Sequence, residues 1–289
     1  MGKVQVGAAI GESFRFVGEA WRRAWGIMLI LVWFSAAVQI VELLRPSWVA
    51  VSILGFIVSI FVTTAATGAL YRLRFSGDHP GDDAFAAHPA GVQWGGLEWR
   101  ILGANLLVGL IIGVLAFVVF IIWAFILGAT LGNSPADVQG IENGSEAEKL
   151  AALGRIMLGP AGALTLIFIG PAMIGLIYLG LRLSVFAPLA ADTRSFDPVK
   201  AWALTRGAVL ALLVGSIVIF LLELIIGAVF GGVAGFVAGF SGQVGQGRVW
   251  GGVAGQAVGA ALNAPLIAGL VLYVYRTQRG DPAVAATFS

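Results

Sequence analysis

Two histidines and three aspartates lie close together in one polar segment, SGDHPGDDAFAAHP, at residues 76–89. They are His79, His88, Asp78, Asp82 and Asp83. Imidazole and carboxylate groups are suitable ligands for a divalent cation. The prolines and glycines of the segment are typical of an ordinary flexible loop, however, and we therefore predict no metal site here.

A second group of polar residues falls inside long apolar runs: Glu223, Asn105, Gln39 and Asn263. Ionisable side chains within a membrane are functional candidates by default. Glu223 lies 17 residues after Arg206, about 25 Å along a helix, which places it near the outer interface where a carboxylate is tolerated. Because a single carboxylate forms no proton relay, the position favours a structural role over ion coupling.

Catalytic patterns are missing from the sequence. There is no cysteine, which excludes disulfides, thiolate metal sites and cysteine nucleophiles. GxSxG, HExxH and Walker motifs are absent, and the GxG fragments fall within apolar runs rather than nucleotide-binding loops. We therefore predict neither an enzyme nor a bound cofactor.

The composition indicates a membrane protein. Of the 289 residues, 59% are hydrophobic and 11% are charged, whereas soluble domains average about 45–50% and 25%. Each apolar run is long enough to cross the hydrocarbon core, and the strand alternation of an outer-membrane barrel is absent. We predict an all-α polytopic membrane protein, a single transmembrane domain over residues 1–289. Its six spans are residues 27–44, 49–70, 101–131, 156–181, 207–240 and 252–275.

The basic residues predict the topology. Six spans place both termini on one side, with 13 of the 17 lysines and arginines; only Arg45, Lys149, Arg155 and Arg248 fall on the other side. The positive-inside rule then makes the termini cytoplasmic, in a bacterial inner membrane. The longest outer connection, residues 133–154, is acidic, and tryptophans fall at the predicted interfaces.

An internal repeat organises the spans. EAWRRAWGIMLIL at residues 19–31 resembles KAWALTRGAVLAL at 200–212, and GLEWRILGANLL at 96–107 is a looser copy. PAMIGLIYLGLR at 171–182 and PLIAGLVLYVYR at 265–276 share the spacing Pro-x3-Gly-x6-Arg. The pattern predicts three hairpins of equal orientation. The segment leading into each is either a helix at the headgroups or the first turns of the span.

Glycines recur at every fourth position in two neighbouring spans. They are Gly227, Gly231, Gly235 and Gly239 in the first, and Gly251, Gly255 and Gly259 in the second. Small residues at this spacing let helix backbones approach closely in lipid. We favour a tight hairpin between the two spans over contact with a partner chain or a pore lined by small residues.

Arginines recur at the inner ends of spans. The set is Arg22, Arg23, Arg72, Arg74, Arg182, Arg206 and Arg276. Topology alone explains their side of the membrane, but the matched spacing at two span ends suggests fixed positions. We expect a basic collar that holds anionic lipid headgroups.

One stretch carries a family resemblance. RLSVFAPLAADTRSFDPVKAWALTRG, at residues 182–207, resembles a group of bacterial six-span inner-membrane proteins. That group includes the membrane domain attached to some glycerophosphoryl diester phosphodiesterases. The shared residues are Arg182-Leu183, Pro188, Ala201-Trp202 and Thr205-Arg206-Gly207. The resemblance implies a fold and a membrane location. This chain has no polar region large enough for the phosphodiesterase barrel.

Two functions remain open. The first is a non-catalytic accessory or lipid-interacting protein that assembles as a homo-oligomer or within a larger membrane complex and binds no nucleic acid. The second is a small-solute or lipid transporter. Polar residues around one shared cavity near the midplane would favour transport. A sealed, glycine-packed bundle with exposed interfacial helices would favour the accessory role.

The predicted topology can be tested with single cysteines at positions 145 and 289, in Ser145→Cys and Ser289→Cys variants. The outer loop should expose the first cysteine to an impermeant thiol reagent on intact cells, and the cytoplasmic C-terminus should hide the second. Labelling at position 289 but not at 145 would reverse the topology.

Overall fold

A computed structural model describes residues 4–44, 49–86, 88–131, 145–241 and 244–280 of the chain. These residues are mostly α-helical, with two 3₁₀ turns at Asp83–Phe85 and Pro89–Gly91. The α-helices are α1 (Val6–Arg23), α2 (Trp25–Leu44), α3 (Val49–Phe75), α4 (Gly96–Leu131), α5 (Glu146–Leu158), α6 (Pro160–Leu183), α7 (Phe186–Thr193), α8 (Pro198–Leu204), α9 (Val209–Ser241) and α10 (Val244–Arg279).

Six of the described helical stretches are long and apolar enough to cross a membrane, which confirms the all-α polytopic prediction. They are Trp25–Glu42, Val49–Phe75, Gly96–Ala129, Gly162–Thr193, Val209–Ala234 and Trp250–Arg279. The third begins earlier than predicted because Glu98 and Arg100 belong to the first turns of α4.

The fourth and fifth predicted spans begin too early. Residues 156–158 belong to α5, which starts at the Ser145–Glu148 capping box and ends where Gly159 adopts an extended conformation before Pro160. Residue 207 precedes α9, because Gly207 has a φ of +92°, a left-handed conformation that glycine adopts without strain.

The helices group into two compact units, one formed by residues up to 105 and from 182 onward, the other by residues 106–181. α10 is the core of the larger unit and packs against α1, α2, α3 and α9. Its C-terminal half carries the buried side chains Leu266, Leu270, Leu272 and Tyr275. The smaller unit contains the rest of α4, α5 and most of α6, where the Trp123 indole donates a 3.2 Å hydrogen bond to Thr165.

The segment before the first span is a separate helix rather than the first turns of α2. α1 ends at Arg23, and the chain bends at Ala24 before α2 begins. Its buried residues, Ala9, Ser13, Phe16 and Ala20, recur at helical spacing and form one face. In the second repeat, by contrast, the corresponding segment continues directly into α4. In the third repeat, α8 is again separate.

α1 follows α10 for about two turns, in the opposite direction. A Cβ atom on Gly269 would lie 2.9 Å from Ser13 Cα and 3.0 Å from Phe16 Cβ, so the two helices touch where Gly269 has no side chain. Further along, the Trp21 indole donates a 3.1 Å hydrogen bond to the carbonyl oxygen of Ala261. That carbonyl has no helical donor because Pro265, four residues later, lacks an N–H.

Glycines bring α9 and α10 together at their other ends. A Cβ on Gly251 would lie 2.6 Å from Ala234 Cβ and 3.2 Å from Gly231 Cα, and one on Gly255 would lie 3.8 Å from Gly227 Cα. A Cβ on Gly227, Gly231 or Gly259 would instead meet no atom within 4 Å. Gly235 and Gly239 are described only as part of the α9 backbone.

This packing predicts that Gly251→Leu lowers the thermal stability of the purified protein in detergent. The new side chain collides with Ala234 and the Phe230 carbonyl, an overpacking cost of about 1–3 kcal/mol or more. Gly259→Leu, on the same helix but with open space around it, is the matched control and should melt close to the wild type. Equal melting temperatures for the two variants would show that α9 and α10 are not in close contact.

Candidate ligand-binding cavity

A partly open cavity of about 450 Å³ lies within the larger unit. α2, α3 and α10 form most of its wall, and the start of α4 and the α6–α7 turn complete it. The lining residues are Leu31, Ser35, Thr63, Thr67, Tyr71, Asn105, Ser184, Ala187, Ala260, Asn263, Ala264, Ile267, Ala268 and Val271. Asn105 and Asn263, two of the polar residues selected from the sequence, thus face the same space.

Seven of the fourteen lining residues carry hydroxyl or amide groups, and the set contains no carboxylate, lysine, arginine or histidine. The polar part of the lining is therefore uncharged. The other seven lining residues, on α2, α7 and α10, are apolar. Ligand sites commonly combine a largely apolar wall with a few polar groups that orient the ligand.

Most of these polar groups have no hydrogen-bond partner among the residues that the structure describes. Thr67 donates to the Thr63 carbonyl, one turn back along α3. Within the described residues, no hydrogen bond is made by the side chains of Ser35, Thr63, Tyr71, Asn105 or Asn263. Tyr71 is only 4% exposed, and the Asn263 Oδ1 atom is fully buried without a partner. Buried polar groups are almost always hydrogen-bonded, so the buried Tyr71 side chain and the Asn263 Oδ1 atom require an explanation.

The cavity reaches the predicted middle of the membrane. Thr63 lies nine residues from Arg72 on α3, or about 14 Å along the helix. The topology predicted from the sequence puts Arg72 at the cytoplasmic end of this span, and on that prediction Thr63 lies close to the centre of a hydrocarbon core about 30 Å thick. Thr63 and Asn105 are the exposed polar residues of the lining and therefore form its rim.

Aromatic rings pack one helical turn beyond the cavity lining on α3 and α10. Phe75 and Tyr275 follow the lining residues Tyr71 and Val271 by four positions, and their ring centroids are 6.0 Å apart. Both are buried, as is Phe85, whose ring is 5.7 Å from that of Phe75. These three rings, called the aromatic floor below, come between the lining residues and the polar loop that follows α3.

Beside the floor, a buried ion pair joins the end of α3 to the start of α4. Both guanidinium NH groups of Arg72 donate to the carboxylate of Glu98, and Arg72 Nε donates to the Ala84 carbonyl at 3.1 Å. The Arg72 side chain is 5% exposed and that of Glu98 is completely buried. The second carboxylate oxygen also accepts the Gly95 N–H at 2.8 Å. The two charges therefore satisfy each other and contribute no free charge to the cavity.

Gly68 provides the space for this pair. A Cβ at position 68 would collide with the Glu98 carboxylate. Any larger residue there would displace Glu98 and break its contact with Arg72. The glycine between Thr67 and Ala69 is thus required by a side chain on another helix.

A second polar cluster surrounds Asp192 of α7, whose side chain is 1% exposed. Asp192 accepts hydrogen bonds from the Tyr275 hydroxyl and from Arg279, and His79 Nε2 lies 2.6 Å from its other oxygen. The His79 ring stacks on Phe85 with centroids 4.6 Å apart. The cluster ties the loop after α3 to α7 and to the end of α10, below the aromatic floor.

Asp82 makes further contacts that fix the loop after α3. Its carboxylate accepts the Ala84 N–H at 3.0 Å and pairs with Arg194, which has a φ of +57° at the end of α7. The backbone hydrogen bond from Ala84, with the charge of Arg194, holds the pKa of Asp82 below its usual range. Asp82 therefore connects the loop after α3 to the end of α7 through these two contacts.

The arginines of the predicted collar have diverse surroundings. Arg72 is buried against Glu98, so it is unavailable to a headgroup, contrary to its assignment from the sequence. Arg74 pairs with Glu12 and Glu19, and Arg276 lies 3.3 Å from Asp78. Arg182 stacks over the Trp202 ring and donates to its carbonyl. Arg22, Arg23 and Arg206 are exposed, and whether they hold anionic lipid stays a prediction.

The remaining candidates do not join the cavity. Glu223 is partly exposed on α9 and does not line it. His79 bonds to Asp192 instead of sharing a metal site with His88. Among the described residues, no group of three or more histidine, aspartate or glutamate side chains is arranged to hold a metal ion.

Sequence reasoning missed Glu98, Asp192 and Tyr71. Glu98 and Tyr71 lie in segments interpreted as the amphipathic ends of spans, where charged and aromatic residues are expected. Asp192 lies inside the family-like stretch, in the otherwise apolar FAPLAADT of α7. The one feature of the sequence that could have indicated a buried role for Asp192 is its position as a carboxylate within a short, mostly apolar helix.

Comparison with models of known protein families, with curated proteins and with solved structures finds no match. The resemblance of residues 182–207 to six-span inner-membrane proteins therefore rests on those residues alone. The cavity and its surroundings are the basis for a functional proposal.

The buried ion pair predicts the effect of removing one charge. Glu98→Gln leaves the Arg72 guanidinium buried without a counter-charge, which typically costs about 3–5 kcal/mol, so the melting temperature should fall clearly. The double variant Arg72→Leu with Glu98→Leu removes both charges and should recover part of the loss. If Glu98→Gln melts like the wild type, the pair is not buried as described.

Proposed function

We propose that this chain is a membrane protein that binds a lipid-like amphiphile in the cavity between α2, α3 and α10, without catalysing its conversion. The observation that carries the proposal is the group of unpartnered hydroxyl and amide side chains in a largely apolar cavity at bilayer depth. A ligand with a polar head and an apolar body would satisfy both kinds of surface. Such a binding role is consistent with an accessory protein of the inner membrane.

The shape of the cavity favours a ligand that comes from the bilayer. One turn beyond its lining, Phe75 and Tyr275 of the aromatic floor pack against each other. Towards the other end of α10, Gly255 and Gly251 pack closely on α9, beginning five residues beyond the lining residue Ala260. The polar rim, at Thr63, lies near the predicted midplane. A lipid reaches this depth directly, whereas a hydrophilic solute must first cross apolar surface.

The chemistry of the lining favours binding over catalysis. Its hydroxyl and amide groups are weak acids and bases, and a general acid–base pair needs groups such as histidine or carboxylates. The nearby ionised groups, Arg72 and Glu98, are engaged with each other. The groups facing the ligand can therefore orient it but have no evident means to transfer a proton.

A lipid or small-solute transporter is the second candidate, favoured by the depth of the polar lining. Transport requires a second conformation in which the cavity opens to another compartment. The ring contact between Phe75 and Tyr275 would then have to separate. Flux of a fluorescent lipid between leaflets of proteoliposomes, dependent on the protein, would favour this candidate over simple binding.

Filling the cavity tests the proposal. Ala264 lines it, so Ala264→Phe places a ring in the space that the ligand would occupy, and less amphiphile should co-purify with the variant. Mass spectrometry of lipid extracts from purified protein measures the amount per chain.

The control is Ala163→Phe, at an exposed position on α6 outside the cavity. It should retain as much amphiphile as the wild type. Equal lipid content in all three proteins would mean that the cavity does not bind amphiphile.

A further inference from the structure

We infer that the ligand is an uncharged lipid carrying a free hydroxyl group, of the kind represented by a diacylglycerol. This inference rests on the proposed function and specifies its ligand. It follows from the absence of charge in the cavity lining, the hydrogen-bonding capacity of the unpartnered groups, and the location of Asn263 among them.

The lining disfavours ionic headgroups. A phosphate moved into the cavity would lose its hydration, and no lysine, arginine or histidine is among the lining residues to replace it. Desolvating an uncompensated charge is far more costly than desolvating a hydroxyl. Arg72 is the nearest arginine along α3, and both of its terminal nitrogens are bound to Glu98. Phospholipids are therefore poor ligands, whereas uncharged lipids avoid this cost.

The unpartnered groups call for a ligand that both donates and accepts hydrogen bonds. The hydroxyls of Ser35, Thr63 and Tyr71 can do either, and the amides of Asn105 and Asn263 carry one donor and one acceptor end. A ligand with only ester carbonyls would leave the amide oxygens unpaired. A hydroxyl supplies a donor for an amide oxygen and an acceptor for an amide or phenol hydrogen.

Asn263 is the residue expected to select this hydroxyl. It lines the cavity on α10, one turn from Ile267 and next to Ala264, while its Oδ1 atom is turned away from the open space and has no partner among the described residues. Rotation about χ2 exchanges the oxygen and nitrogen ends of the amide with little change in shape. Asn263 can therefore offer either end to the cavity. A site built to bond a hydroxyl rejects analogues that lack it, because its own polar groups are then left unpaired.

The test compares three lipids by native mass spectrometry of the detergent-purified full chain. They are dioleoylglycerol, its acetyl ester, which lacks the free hydroxyl, and dioleoyl phosphatidylglycerol. Dioleoylglycerol should bind about tenfold more tightly than its acetyl ester, the effect of one lost hydrogen bond. Asn263→Leu should lower the affinity for dioleoylglycerol about tenfold and leave that for the acetyl ester nearly unchanged. The comparison of lipids on the wild type stands even if the variant folds poorly.

The other outcomes distinguish the inference about the ligand from the proposed function. Equal binding of dioleoylglycerol and its acetyl ester, or tighter binding of phosphatidylglycerol, would overturn the uncharged-hydroxyl inference. If Ala264→Phe still abolishes binding of these lipids, the cavity remains an amphiphile site and the proposed function stands. If Ala264→Phe reduces the binding of none of the three lipids, the proposed function fails as well.

Discussion

The contact between Arg72 and Glu98 determines the arrangement around the cavity. Two opposite charges buried at the same point can be tolerated only with close geometry and additional hydrogen bonds. Ala84 and Gly95 supply these bonds, and Gly68 supplies the space. The pair thereby fixes the end of α3, the loop that follows it and the start of α4 relative to one another. Tyr71 lies on α3 and Asn105 lies on α4, so the pair also determines where these two side chains lie in the cavity wall.

The charged groups near the cavity are paired within the protein. Arg72 pairs with Glu98, and Asp192 pairs with Arg279. Five of the neutral hydroxyl and amide side chains in the lining have no such partner among the described residues. In a medium without water, these neutral groups gain more from a ligand than the paired charges do.

Sequence patterns predicted the helical class and six spans because span length and hydropathy depend on local composition alone. The ends of the spans were predicted less well. Gly159 and Gly207 interrupt apolar runs because of their backbone conformation, and hydropathy does not depend on backbone conformation. Asn105 and Asn263 were selected as polar residues in apolar runs, but their shared cavity depends on packing between helices distant in sequence. Glu98 and Arg72 were missed as a pair because they are 26 residues apart, and charges at span ends are expected for topology alone.

The bond between Trp21 and Ala261 joins residues 240 positions apart in the sequence. During synthesis, α1 is made long before its binding surface on α10 exists. Until α10 is inserted, the surface of α1 at Ser13 and Phe16 has no Gly269 to pack against. Once α10 is inserted, the Ala261 carbonyl has no hydrogen-bond donor until Trp21 of α1 packs against it. Assembly of the larger unit is therefore completed only when its last helix has been made. The residues between 106 and 181 can be inserted in the meantime without waiting for that closure.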